Sequence, residues 1–229
     1  MIGRPLREPR TSLPGLGSLA DALMGALLSR AKVLYNLERT HAMEDPMEKP
    51  GRIAPARPPF GPEIQSALER VMPRGVPPLV LFTTLARNPR VFQRFMAGGL
   101  LDKGSIGLRE REIMIDRTTA RCGSEYEWGV HVTFFAEKAE LTQDQIRATT
   151  KIAAGDGVWS RRDALILQLA DVLHETATVE DDLWNELKAE FTDAQLLELI
   201  VLSGFYHTVS FLTNALRLPL EPGAARFAE

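Results

Sequence analysis

Apolar residues in this chain recur at helical spacing and do not alternate with polar ones over any useful length. Leu19, Leu23, Leu27, Leu34 and Leu37 trace one stripe, which predicts an amphipathic helix from Leu16 onward. Ahead of it, residues 1–15 are rich in Pro, Gly and Arg and are expected to be disordered. Residues 46–62, PMEKPGRIAPARPPFGP, read as an extended linker. Two short helices follow, PEIQSALERVM and PLVLFTTLA. Asn88-Pro89 then gives an N-cap with Pro at the first helical position, opening PRVFQRFMAG, and Gly98-Gly99 closes it. LREREIMIDRTTA, residues 108–120, is a strong helix former, and the next helix opens around Ser124 and is expected to run to about Lys138. Thr142 with Gln145 and Thr192 with Gln195 are capping boxes that start QDQIRATTKIAAG and the long DAQLLELIVLSGFYHTVSFLTNALRL. Between these lie RRDALILQLADVLHETA and EDDLWNELKAEF, with a turn at Gly155 to Gly157. The pattern predicts an all-α domain of roughly eight helices over residues 56–229. An N-terminal extension and Pro-rich linker, residues 1–55, precede it.

Composition narrows the class. Apolar residues make up 45% and charged residues 25% of 229, ordinary for a soluble globular protein. A net charge of −3 argues against a chain built to hold nucleic acid. The charge is uneven: residues 1–60 carry nine Lys/Arg against six Asp/Glu, so the remainder carries −6. One cysteine excludes an internal disulfide and a Cys-only metal site within one chain, and it fits a reducing compartment. No run of about 18 apolar residues occurs, so no membrane span is expected. Arg4, Arg7 and Arg10 ahead of LADALMGALL resemble a signal peptide weakly, but Asp21 interrupts the apolar part. The expected location is the cytoplasm, with no nucleic-acid or membrane partner; Met43 or Met47 offers an alternative start.

The chemistry concentrates in RCGSEYEWGVH, residues 121–131. Ser124, Glu127 and His131 stand at i, i+3 and i+7 of the expected helix and share one face. Glu127 and His131, at i, i+4, can hydrogen-bond, and a carboxylate beside an imidazole raises and orients its proton affinity. Such a pair suits general acid/base work. Cys122 sits at the helix mouth, where an N-terminus favours thiolate, although Glu125 opposes it. The same residues also fit a plainer reading: acidic groups favoured in a first turn, a solvated i, i+4 contact and a core-filling cysteine. A Glu-x3-His pair supplies two ligands and nothing nearby a third, so no metal is expected there.

The stretch LREREIMIDRTTARCGSEYEWGVHVTFFAEKAELTQDQI resembles the carboxymuconolactone decarboxylase family, which includes the alkylhydroperoxidase-D-like proteins. LFTTLARNPRVFQRFMAGG and LWNELKAEFTDAQLLELIVLSGFYHTVSFLTNAL extend the resemblance over about residues 60–220. It implies an all-helical fold and a homo-oligomer: dimer, trimer or hexamer. The family's peroxidase branch uses Cys-x-x-Cys-x3-His with a glutamate twelve residues before the first cysteine. Aligned on Tyr126-Glu127-Trp128 and His131, that pattern puts Ser124 at the first thiol, Glu127 at the second and Glu112 at the glutamate. Both thiols are thus missing, and Cys122 lies two residues before the first thiol's position. Dithiol cycling needs two thiols, so a one-cysteine peroxidase with an external reductant is the redox alternative. The decarboxylase branch implies neither thiols nor a cofactor.

The resulting expectation is a cofactor-free enzyme acting by acid/base chemistry on a small carboxylated or lactone-like substrate. Glu112, Glu127, His131 and Cys122 are the candidate catalytic residues. Ser124 and Arg109, or Arg111, are candidates for holding substrate, since arginine matches a carboxylate bidentately; LRERE also reads as an exposed, charge-paired helix. His174, Tyr206 and His207 rank lower: His174 as a helix-end position, and Tyr206 and His207 as residues that could line a pocket but are more commonly core or interface positions. A helical oligomer that binds a ligand or partner without turnover is the third reading.

Overall fold

Side chains that accept backbone N–H groups fix where several helices begin. The Val91 N–H donates to the Asn88 side chain at 3.3 Å, with Pro89 at the first helical position. Thr142 with Gln145, and Thr192 with Gln195, exchange reciprocal capping bonds. The computed structural model describes residues 51–72, 75–151 and 157–228. These contain nine helices and no strand: α1 Pro62–Val71, α2 Val80–Leu85, α3 Pro89–Gly98, α4 Leu108–Arg121, α5 Glu125–Phe135, α6 Gln143–Thr149, α7 Arg161–Thr176, α8 Asp181–Glu190 and α9 Asp193–Leu216. The fold is all-α, as the hydrophobic pattern predicts.

The expected helix from Leu16, the stretch 1–15 and Gly155 of the expected turn lie outside the described residues. Of the linker, residues 51–61 are described and are not helical. They run along the helices: the Arg52 N–H donates to the Leu216 carbonyl at 2.8 Å and the Ala56 N–H to that of Thr83 at 2.9 Å.

The centre of the fold is α4, which packs against α5, α6, α7 and α9. Its residues Arg111 to Thr119 are all buried, including Glu112, Asp116 and Arg117. Charged groups enclosed on every side need partners. Arg117 has them: Nε and Nη2 each donate to Asp171 at 2.7 Å, and Nη1 to the carbonyls of Thr149 and Lys151. This side chain ties α4 to α7 and to the end of α6.

Between α4 and α5 the chain reverses in three residues. Cys122 caps α4, Gly123 adopts φ +64°, and Ser124 precedes α5. The Ser124 N–H donates to the Thr119 carbonyl and the Gly123 N–H to that of Ala120, the two bonds of a Schellman closure. Glycine is the residue that takes this left-handed position without strain. The reversal lays α5 against α4, so that His131 meets Glu112. Helix α5 ends at Phe135, short of Lys138, through a second closure: Glu140 has φ +55° and the Leu141 N–H donates to the Ala136 carbonyl.

Candidate active site

Glu112 on α4 and Glu127 and His131 on α5 converge. His131 Nδ1 lies 2.7 Å from Glu112 Oε2, and His131 Nε2 lies 3.5 Å from Glu127 Oε1. All three side chains are buried. From α9, the hydroxyl of Tyr206 lies 2.9 Å from His131 Nε2, with its ring edge-on to the imidazole. Burial works against a charged imidazole here, but the two carboxylates, Glu112 foremost, outweigh it and raise the His131 pKa from 6.5 to about 10. With both ring nitrogens protonated, Nδ1–H donates to Glu112 and Nε2–H to the Tyr206 oxygen. Glu127 Oε1 shares the Nε2 side of the ring with the Tyr206 hydroxyl.

Glu127, His131 and Tyr206 line a cavity of about 340 Å³. The rest of its lining is mostly apolar, with Leu81, Phe95, Phe134 and Phe205 among its walls. Glu127 Oε2 is buried and has no hydrogen-bond partner. A buried carboxylate oxygen without a donor is costly unless something comes to it. The cavity therefore presents a buried free acceptor, Glu127 Oε2, beside the Tyr206 hydroxyl, and Asp102 adds a second carboxylate to its lining.

The second wall of the site explains how Glu112 is held. Arg111 donates from Nε to Glu112 Oε1 at 3.3 Å and from Nη1 to the Leu101 carbonyl at 2.9 Å. One turn further along α4, Asp116 is fully enclosed, and neither carboxylate oxygen has a partner. Burial, followed by the nearby charge of Glu112, pushes its pKa well above the ordinary carboxylate value. Enclosure without a partner favours the neutral acid at Asp116, and nothing in the sequence pattern singles it out.

The remaining candidates stand elsewhere. Ser124 Oγ lies 2.7 Å from Thr213 Oγ1, a closed contact between α5 and α9 outside the cavity lining. Arg109 donates to Asp163 at 2.9 and 3.2 Å and to the carbonyls of Ala139 and Glu140, so its guanidinium is committed to joining α4 to α7. Cys122 is half-buried, with Sγ 3.7 Å from His174 Nδ1 and a contact to Ser210; it does not line the cavity. Burial pushes its thiol pKa up, so the helix mouth does not make it a ready thiolate. Tyr206, ranked low from the sequence as more commonly a core or interface position, lines the cavity and meets His131.

Fold and site together define a class: an all-helical protein with a glutamate–histidine–glutamate cluster buried beside a mostly apolar cavity. Residues 88–171, from α3 into α7, match the model of the carboxymuconolactone decarboxylase family. Solved structures share the fold. A peroxidase-related protein from Silicibacter sp. TM1040 superposes with a TM-score of 0.64 at 17% identity, over 82% of this chain and 100% of that one. The debrominase Bmp8 does so with a TM-score of 0.60 at 14% identity, over 74% of this chain and 91% of its own. An alkylhydroperoxidase AhpD core protein from Ralstonia eutropha JMP134 gives 0.57 at 17%, over 71% and 87%. At these identities the likeness is one of fold. No curated protein matches the chain.

Proposed function

We propose that this protein is a cofactor-free acid/base enzyme of the carboxymuconolactone decarboxylase type, acting on a small lactone-like ring compound. The observation that carries this reading is the free Oε2 of Glu127, placed beside His131 and Tyr206 on the lining of a mostly apolar cavity. Glu127 takes or returns the proton. The His131 imidazolium, held by Glu112, and the Tyr206 O–H stabilise negative charge developing on a substrate oxygen. In a decarboxylation, carbon dioxide leaves with its carbon–carbon bond broken. The electron pair passes onto the lactone carbonyl as an enolate, and the ring carbon then receives a proton taken up from solvent and relayed through Glu127. The described residues lining the cavity include no Lys or Arg, which favours a ring with one charged group over a multiply charged acid. Among the fold relatives, a variant of the debrominase Bmp8 has been crystallised with 2,3,4-tribromopyrrole, also a small and largely apolar ring.

The test uses a butenolide bearing a single carboxylate on its γ-carbon, with cumene hydroperoxide as the alternative substrate, for the full chain. The reading expects carbon dioxide release from the lactone, reduced about 10²–10⁴-fold by Glu127→Gln, and no such loss in Cys122→Ser. If only the hydroperoxide is consumed, and Cys122→Ser abolishes that, the protein is a one-cysteine peroxidase and the acid/base reading is wrong.

The assembly we infer is a homo-oligomer. Leu197, Val201 and Phe211 on α9 are 65%, 53% and 65% exposed and fall on one helical face, an apolar stripe that a second copy would cover.

A further inference from the structure

Away from the cavity, three helices bring together a second set of side chains. Cys122 caps α4, His174 lies in the last turn of α7, and His207 lies in the second half of α9. Cys122 Sγ is 3.7 Å from His174 Nδ1, and that nitrogen is 3.1 Å from His207 Nε2. All three atoms lie within 4.8 Å of one another, and all three residues are half-buried. None of them lines the cavity.

Two features make this a donor set. First, His207 Nδ1–H donates to the Ser203 carbonyl at 2.9 Å. That bond fixes the tautomer and leaves the lone pair on Nε2, facing the cluster; it is the outer-shell bond that orients a metal-binding imidazole. Second, the two spacings from His174 Nδ1 suit a tetrahedral ion, and Cys122 Sγ and His207 Nε2 lie within 4.8 Å of each other. Zinc at about 2.0–2.1 Å from nitrogen and about 2.3 Å from sulfur sets two nitrogens about 3.3 Å apart and sulfur about 3.5 Å from nitrogen. The observed 3.1 and 3.7 Å differ from these by a few tenths of an ångström.

We propose that Cys122, His174 and His207 bind one divalent ion of the zinc class, in a three-ligand site whose fourth position is left to water or an exogenous ligand. Binding breaks the S–H bond of Cys122, forms a sulfur–metal bond and releases one proton per ion. His174 is already prepared: burial, then His207 and Arg121, lower its pKa below the ordinary imidazole value. Arg121 also faces the cluster, and its charge is met by Asp171 at 3.4 Å and Glu175 at 2.5 Å. The site shares no residue with the acid/base cluster, so it stands whether or not that reading holds.

Zinc chloride and cobalt(II) chloride are the probes, titrated into the chelator-treated full chain. Zinc should bind at one ion per chain, releasing one proton, as read by calorimetry in buffers of different ionisation enthalpy. Cobalt should give tetrahedral visible bands and a sulfur-to-metal charge-transfer band. Cys122→Ser should remove the charge-transfer band, and His174→Ala or His207→Ala should weaken zinc at least about 100-fold, beyond the usual loss of an outer-shell partner. Because the cobalt spectrum of the wild type reports the thiolate directly, the test does not depend on a variant folding. Absence of the charge-transfer band from the wild type overturns the proposal, as does zinc affinity unchanged in His174→Ala/His207→Ala. In that case the two histidines are simply joined by a hydrogen bond from His174 Nδ1–H to His207 Nε2.

Discussion

Glu112 Oε2 stands 2.7 Å from His131 Nδ1, with neither side chain open to solvent. A carboxylate in this place holds the imidazole in its charged form far into the alkaline range, up to about pH 10. The His131 ring protons should therefore show no titration by NMR between about pH 5 and 9, and Glu112→Gln should bring a transition back into that window. The sign for stability follows from the raised value. The pairing contributes fully below the unfolded histidine value of about 6.5 and is lost as pH rises through about 10. A wild-type His131 that titrates near 6.5 would remove the charge-holding role assigned to Glu112.

Asp116 carries the opposite linkage. Its folded pKa is raised, by burial and then by Glu112. The folded chain thus holds a proton that the unfolded chain releases, and stability falls as pH climbs from the unfolded value toward the folded one. Asp116→Asn keeps the size of the side chain and removes the titration. Its melting temperature relative to wild type should improve as pH rises above the ordinary carboxylate value. A gap that stays constant over that rise would mean that Asp116 is ionised in the fold.

How far the site is legible depends on sequence distance. Caps such as Thr142–Gln145 are local, and the structure forms them as the sequence predicts. Glu127 and His131 are four residues apart on one helix, so spacing alone pairs them. Glu112, nineteen residues before His131, enters through the family pattern and not through any local rule. Spacing puts Ser124 on the same helical face, but it is the cap residue, with φ −88° and ψ 79°, so the helical rotation per residue does not apply to it. Its hydroxyl turns to Thr213 instead. Tyr206 is 75 residues from His131, and Cys122, His174 and His207 are separated by 52 and 33 residues. Packing of α9 on α5 creates the first meeting and packing of α4, α7 and α9 the second, and no periodicity announces them.

Gly129 tests the support behind the site. A methyl group built on it would come within 2.2 Å of the Ala225 carbonyl oxygen, because the C-terminal segment crosses α5 there. That segment is fastened by the Ala225 N–H to Thr133 Oγ1 at 2.8 Å, the Phe227 N–H to Glu125 Oε1 at 2.9 Å, and ring contact between Phe227 and Trp128. The obstacle is backbone, so it cannot turn aside as a side-chain tip would. Gly129→Ala should cost about 1–3 kcal/mol by overpacking. It should also open the C-terminal segment to limited proteolysis and alter Trp128 fluorescence. An unchanged melt and cleavage pattern would show that the segment does not lie on α5.

The stripe on α9 gives the last prediction. Leu197, Val201 and Phe211 leave a large apolar area in water on the helix that also supplies Tyr206 to the site. Solvent gains when a second copy covers such a patch, by roughly 25 cal/mol for each Å² of apolar surface removed. Closed symmetric pairing is the commonest way for a chain to cover its own patch. Leu197→Glu with Phe211→Glu should lower the mass measured by light scattering toward that of one chain. The helical circular dichroism should persist, because neither side chain is part of the buried core. The buried face of the same helix positions Tyr206, so loss of the partner should reduce turnover less than loss of Glu127. A wild-type mass of one chain at micromolar concentration would leave the stripe without a second copy to bind and would rule out the inferred oligomer.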